Sequence, residues 1–120
     1  MMNIADSKHA TAPADAQRWL DRFAAALRAQ DAAAAAEMFL ADGLWRDLLA
    51  FTWTIQTMAG REAIAAALRE SLARTKPANF RFPPRRTPPR WVRRAGTETL
   101  EAIFEFETAL GPGSGVLRLV

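Results

Sequence analysis

Asp47 and the residues around it carry the chemistry of a general base in an apolar site. The stretch Asp42-Gly43-Leu44-Trp45-Arg46-Asp47-Leu48-Leu49-Ala50-Phe51-Thr52-Trp53 sets two tryptophans, two carboxylates and an arginine into twelve residues. Large rings beside an ionisable group read as a pocket wall more than a plain core. Desolvation by Trp45 and Trp53 would raise the Asp47 pKa and make its carboxylate a better proton acceptor near neutral pH. The competing role is an ion pair with an arginine. Alternation sets Arg46 and Asp47 on opposite faces of a strand, so at most one of them faces inward. Asp42 stands in the turn before that strand, where turn and cap chemistry accounts for it.

Other ionisable groups offer less. Glu101, Glu105 and Glu107 fall on one face of a strand, the last two about 6.6 Å apart. Paired carboxylates bind hard cations or divide acid and base roles, but a solvated sheet face paired with Arg93, Arg94 or Arg118 is the plainer reading. His9 is the single histidine, so no Ser-His-Asp triad and no histidine-based metal site can be built. The absence of cysteine excludes disulfides and thiolate chemistry and fits a reducing, cytoplasmic setting. Trp91, with Arg90, Arg93 and Arg94 beside it, has the groups to stack on and pair with an anionic partner. A charged loop without a partner explains the same residues.

Charge is uneven along the chain. The net charge is +3, yet residues 75–94 hold seven basic side chains and no acidic one, together with five of the seven prolines. The rest of the chain is therefore net acidic. A general nucleic-acid binder spreads basic charge over a folded face, so no nucleic-acid partner is expected. No apolar run approaches the ~20 residues that span a bilayer, and no membrane partner is expected. Residues 1–13 lack the basic and apolar regions of a secretion signal.

The elements that must position these groups follow from periodicity. One domain fits the length, with residues 1–12 as a flexible leader. Thr11 or Ala12 caps a first helix, with Pro13 in its first turn. Ala16, Trp19, Leu20, Phe23, Ala24 and Leu27 form its apolar stripe. Asp31 caps a short helix over 32–39, and Asp42-Gly43 closes it. Strands are expected over 44–47 and 51–58. Gly60 precedes a third helix over 61–74, with Ile64, Ala67, Leu68, Ser71 and Leu72 inward. Residues 75–90 read as a Pro/Arg-rich loop, because Pro83-Pro84 and Pro88-Pro89 oppose regular structure. Strands resume over 90–95 and 99–110. In the latter Leu100, Ala102, Phe104, Phe106 and Leu110 take one face. Residues 111–115 read as a glycine-rich loop and 116–120 as the start of another strand. Gly111, Gly113 and Gly115 precede a strand, not a helix, so they make no phosphate loop.

This α+β order resembles the nuclear transport factor two-like fold, a curved antiparallel sheet wrapped round helices to form a cone. Phe39-Leu40-Ala41-Asp42-Gly43-Leu44-Trp45-Arg46-Asp47 and Gly60-Arg61-Glu62-Ala63-Ile64 are similar to segments of its SnoaL-like and ketosteroid-isomerase-like members. Leu44 to Ala50, with Phe106-Glu107-Thr108-Ala109-Leu110-Gly111, resembles the N-terminal domain set ahead of the flavin-binding part in some bacterial flavin-containing monooxygenase-like proteins. The resemblance covers residues 14–120, and the closing strand of the cone is missing from it. It implies three helices on a bent sheet and a hollow lined by Trp19, Phe23, Trp45, Trp53, Trp91, Phe104 and Phe106. It implies Asp47 as the proton-shuttling base and a hydrophobic small molecule as ligand. FAD and NADPH enter only with a downstream flavin domain, packed in cis, in which case the oxidoreductase chemistry lies outside this chain. The alternatives are a cofactor-free isomerase, dehydratase or cyclase, and a non-catalytic module that forms a homodimer through its sheet.

Overall fold

The computed structural model describes residues 4–41, 44–48 and 55–120, with the side chains of 4–10, 44, 46–48 and 55–56 outside that description. Helices α1 (Ile4–Arg28) and α2 (Ala32–Glu37) precede strands β1 (Leu44–Leu48) and β2 (Ile55–Ala59). Helix α3 (Arg61–Thr75) and strands β3 (Ala78–Arg81), β4 (Arg90–Arg94), β5 (Thr97–Thr108) and β6 (Gly111–Leu119) follow. The architecture is α+β, with three helices and open, curved antiparallel sheet. β1 and β2 pair as a hairpin of their own, while β5 is the centre of a four-stranded sheet. One side of β5 is shared end to end by β3 and β4; the other is covered along its length by β6. No helix among the described residues is long and apolar enough to cross a membrane.

Helix α1 begins at Ile4, well before the cap expected at Thr11 or Ala12, and carries Pro13 in its interior. The helix thus runs back through the stretch read as a leader. Proline has no N–H to offer the carbonyl of His9, one turn back. Ala12, Ala16 and Leu20, at helical spacing, bury themselves against Leu100, Ala102 and Leu117 of the large sheet. Phe23 and Leu27, one and two turns on, pack instead with α2, α3 and Met58 of β2. A single helical stripe therefore holds two clusters together. The helix ends in a Schellman motif: Asp31 N–H donates to Ala26 O at 2.9 Å and Gln30 N–H to Leu27 O at 3.0 Å. Gln30 takes the left-handed conformation this motif requires, φ 56°. Asp31 then caps α2 as expected, its carboxylate accepting from Ala34 N–H at 3.0 Å. α2 stops at Glu37, two residues short of the expected Phe39.

Two expectations fail in the C-terminal half. The Pro/Arg-rich segment contains β3, which pairs with β5 through a bulge at Asn79, φ 56°. The double prolines follow this strand and do not interrupt it. The glycine-rich 111–115 stretch is not a loop but the first half of β6. Its register with β5 gives the reason: Phe106 faces Gly113 and Phe104 faces Gly115. A methyl group at Gly113 or Gly115 would lie 2.5 Å from the tip of the Phe106 or Phe104 ring. The glycines leave room for two rings to lie flat across the neighbouring strand. Leu110, expected on the inner face of β5, sits instead in the β5–β6 turn and is exposed.

Candidate functional site

Among the described residues, seven aromatic rings meet where α1, the end of α2, β1, β3 and β5 converge. Phe23 is the hub and is 3% exposed. It stacks on Trp19 at 4.9 Å and meets Phe39 at 6.1 Å, Trp45 at 5.9 Å and Phe80 at 6.1 Å. Phe39 and Trp45 are nearly parallel at 5.8 Å. Phe80 carries the contact into the large sheet, stacking on Phe106 at 5.1 Å and touching Phe104 at 6.0 Å. Such stacked and edge-on pairs add about 0.5–1.5 kcal/mol each beyond the area they bury. Phe23 and Phe106 are buried, while Trp19, Phe39, Trp45, Phe80 and Phe104 keep part of their surface accessible.

Local sequence explains how each ring is held. Trp19 and Phe23 are one turn apart on α1 and so share a face. Phe39 follows the last turn of α2, and its carbonyl accepts from Arg61 Nε at 2.7 Å, which ties it to the start of α3. Trp45 lies on β1 opposite Met58, itself part of the core. Phe80 comes from β3, and Phe104 and Phe106 alternate on the inner face of β5. The structure thus gathers Trp19, Phe23, Trp45, Phe104 and Phe106 into one assembly. Phe39 and Phe80 complete it although neither was singled out. The alternation Phe80-Arg81-Phe82 marked Phe80 as strand, but the prolines after it masked the signal.

Trp91, opposite Leu100 on β4, packs against the second core cluster of Ala12, Ala16, Leu20 and Leu100, on which Trp19, Phe80 and Phe104 also rest. Trp53 and Asp42 lie outside the described residues. Asp47 occupies a backbone position on β1 two residues beyond Trp45 and opposite Gln56; its side chain lies outside the described residues. Among the described residues no three His, Asp or Glu side chains gather closely enough to hold a metal ion.

The acidic face of β5 has a defined role for one of its members. Glu101, with its side chain 13% exposed, accepts from Arg94 Nη2 at 2.8 Å and Nε at 3.1 Å, and from Arg118 Nε at 2.9 Å. Hydrogen bonds from Arg94 first, and then from Arg118, outweigh partial burial and pull its carboxyl down to about 2. Arg94 faces Thr97 in register, so it reaches Glu101 by lying along the strand past Thr99, which is buried. Glu107 accepts from Asn79 Nδ2 at the bulge, and Glu105 stands opposite Arg81. The three carboxylates are thus spread among separate basic or amide neighbours on three strands, which is the chemistry of a sheet face and not of a catalytic pair. The sequence matches no protein-family profile and no curated protein.

Proposed function

We propose that this chain is a nuclear transport factor two-like domain whose aromatic assembly walls a binding site for a flat, apolar small molecule. One observation carries the reading. Five of the seven rings remain partly accessible although every one is in ring contact with another. A single core ring often keeps a little accessible surface, but five such rings in one contiguous assembly hold apolar surface in reserve, as a ligand site does. Flat apolar ligands fit because stacked rings offer parallel faces and no charged group among the seven.

The test is a fluorescence titration with 2-naphthol or anilinonaphthalene sulfonate. Saturable binding is expected, weakened at least tenfold in Trp45→Ala while circular dichroism stays unchanged. Absence of saturable binding, or binding unaffected by Trp45→Ala, overturns the reading. A second reading, of Asp47 as a proton-shuttling base, is favoured by its place two residues along β1 from a ring of the wall. Asp47→Asn should then abolish exchange of the α-proton of a bound ketone while leaving binding intact; unchanged exchange removes Asp47 from the chemistry. Ahead of a flavin-binding part, the same wall would shape the substrate. The glycine-rich run of this chain does not fit a nucleotide cofactor, because Phe106 and Phe104 cover Gly113 and Gly115.

A further inference from the structure

On the side of β5 away from β6, two strands share the edge and leave a gap between them. β3 ends its register at Arg81 opposite Glu105, and β4 begins its own at Arg90 opposite Glu101. Ile103 falls in the gap. Pro112, which has no N–H, faces Glu107 on the β6 side, so that pair is of the non-bonded kind. By alternation Leu100, Ala102, Phe104 and Phe106 bond to β6, while Glu101, Ile103 and Glu105 turn their N–H and C=O groups the other way. Glu101 and Glu105 meet β4 and β3 there; among the described residues Ile103 meets no strand. Two prolines explain the gap. Continuing β3 by two residues would bring Pro83 opposite Ile103, and continuing β4 back by two would bring Pro88. Neither can donate to the Ile103 carbonyl. The chain leaves the sheet between them through a turn in which Arg86 N–H donates to Pro83 O at 3.3 Å. Among the described residues no turn or loop group bonds the Ile103 amide or carbonyl.

The gap is a cleft of about 50 Å³, lined by Thr87, Pro88, Arg90, Glu101, Ala102 and Ile103. One water needs about 10–15 Å³ of such space, so a group of several oxygens fits. The cleft is basic. Both oxygens of Glu101 are already engaged, Oε1 by Arg94 and Oε2 by Arg94 and Arg118. Arg90, directly across the strand pair from Glu101, makes no ion pair among the described residues. Three guanidinium groups thus surround one carboxylate.

We infer that this cleft binds a phosphate group, held by the Arg90 guanidinium, the Ile103 N–H and the Thr87 hydroxyl. The guanidinium fork matches two phosphate oxygens at once, and the backbone N–H and the hydroxyl supply further donors. The acceptors of the cleft select among oxoanions. A hydrogen phosphate has an O–H to give to the Ile103 carbonyl, whereas sulfate at neutral pH has none and leaves that carbonyl unanswered. Trp91 takes no part, because it packs with Leu100 on the inner face. Arg90, Glu101 and Ile103 belong to the outer face, so this site is separate from the ring wall and independent of the ligand reading there.

Calorimetric titration of the purified chain with inorganic phosphate in chloride buffer is the test. One phosphate per chain is expected, with a dissociation constant of about 1 mM, the scale of two or three charge-assisted bonds. Sulfate should bind at least fivefold more weakly. Arg90→Gln should weaken phosphate binding at least tenfold and Thr87→Ala at least threefold, with thermal unfolding unchanged. Arg85→Gln and Arg86→Gln, on the same loop but outside the cleft, should leave it unchanged. The Ile103 amide resonance should move as phosphate is added. Glycerol phosphate separates the sources of the group: tighter binding than inorganic phosphate assigns the site to a phosphate ester, weaker binding to the free ion. No saturation by about 20 mM phosphate overturns the proposal, as does binding that Arg90→Gln leaves intact. A loss in Arg85→Gln equal to that in Arg90→Gln overturns it too, since diffuse charge attraction then accounts for the binding. Sulfate bound as tightly as phosphate overturns the choice of phosphate.

Discussion

Substituting Gly113 by alanine tests whether β6 is a strand whose glycines are vacated for rings or a flexible glycine loop. The new methyl carbon would stand 2.5, 2.7 and 3.0 Å from Cζ, Cε2 and Cε1 of Phe106. Carbon atoms in good contact sit about 3.5–4.0 Å apart, so the ring must withdraw by roughly 1 Å. It has little room, being 2% exposed and stacked on Phe80 at 5.1 Å with Phe104 at 5.9 Å. Overpacking of this kind costs about 1–3 kcal/mol. Exchanging glycine for alanine inside a strand returns about 0.5–1 kcal/mol. Taken at their midpoints, the net loss is about 1.25 kcal/mol, a fall in Tm of roughly 4–8 °C for a domain of this size. Urea unfolding of Gly113→Ala, Phe106→Leu and the double variant measures the effect as a coupling. Phe106→Leu should relieve the clash, so the double variant loses less than the two single losses combined. Gly115→Ala should cost less, because the half-buried Phe104 ring can swing outward. A Gly113→Ala protein as stable as the parent, or more stable, would show that no ring lies across this position.

Acid titration of stability should reveal Glu101. Its folded pKa is depressed to about 2 from an ordinary value near 4.5, so its contribution is complete above about pH 4.5 and is lost as pH falls towards 2. Arg94 and Arg118 are 52% and 58% exposed, so screening by water reduces the contribution to about 1 kcal/mol. Glu101→Gln should remove that much stability at pH 7 and flatten the acid limb; an unchanged limb contradicts the pairing. Pro13→Ala should raise both helicity and stability, by up to about 3 kcal/mol, if α1 is continuous through this position. No gain in circular dichroism at 222 nm would place Pro13 in a first turn instead. Ala95 and Gly96 both take positive φ, 50° and 81°, in the two-residue turn between β4 and β5. Ala95→Asn should stabilise this turn by about 0.5–1 kcal/mol in thermal unfolding, and a loss would contradict the turn geometry.

The parts of this fold that local patterns dictate were legible in the sequence. The 3.6-residue stripe of α1, the Asp31 cap, the Gly60 break before α3 and the two-residue alternation of β5 are each decided within a dozen neighbouring residues. The parts that were not legible depend on partners distant in the chain. Gly111, Gly113 and Gly115 carry the local signal of a loop. Their strand conformation follows only once Phe104 and Phe106, on another strand, are seen to need the space. β3 was hidden in the same way, since Phe80-Arg81-Phe82 alternates correctly but is followed by prolines that outweigh so short a run. The site divides along the same line. Trp19 and Phe23 were readable as neighbours on one helix face, whereas Phe39 and Phe80 join them only through tertiary packing.

The two unexpected strands also explain how the aromatic assembly spans the sheet. Phe104 reaches over β6 because Gly115 has no side chain. Phe80 touches Phe104 on its other side and Phe23 beyond. A continuous series of packed rings therefore runs from β6 to the helix that forms the opposite wall.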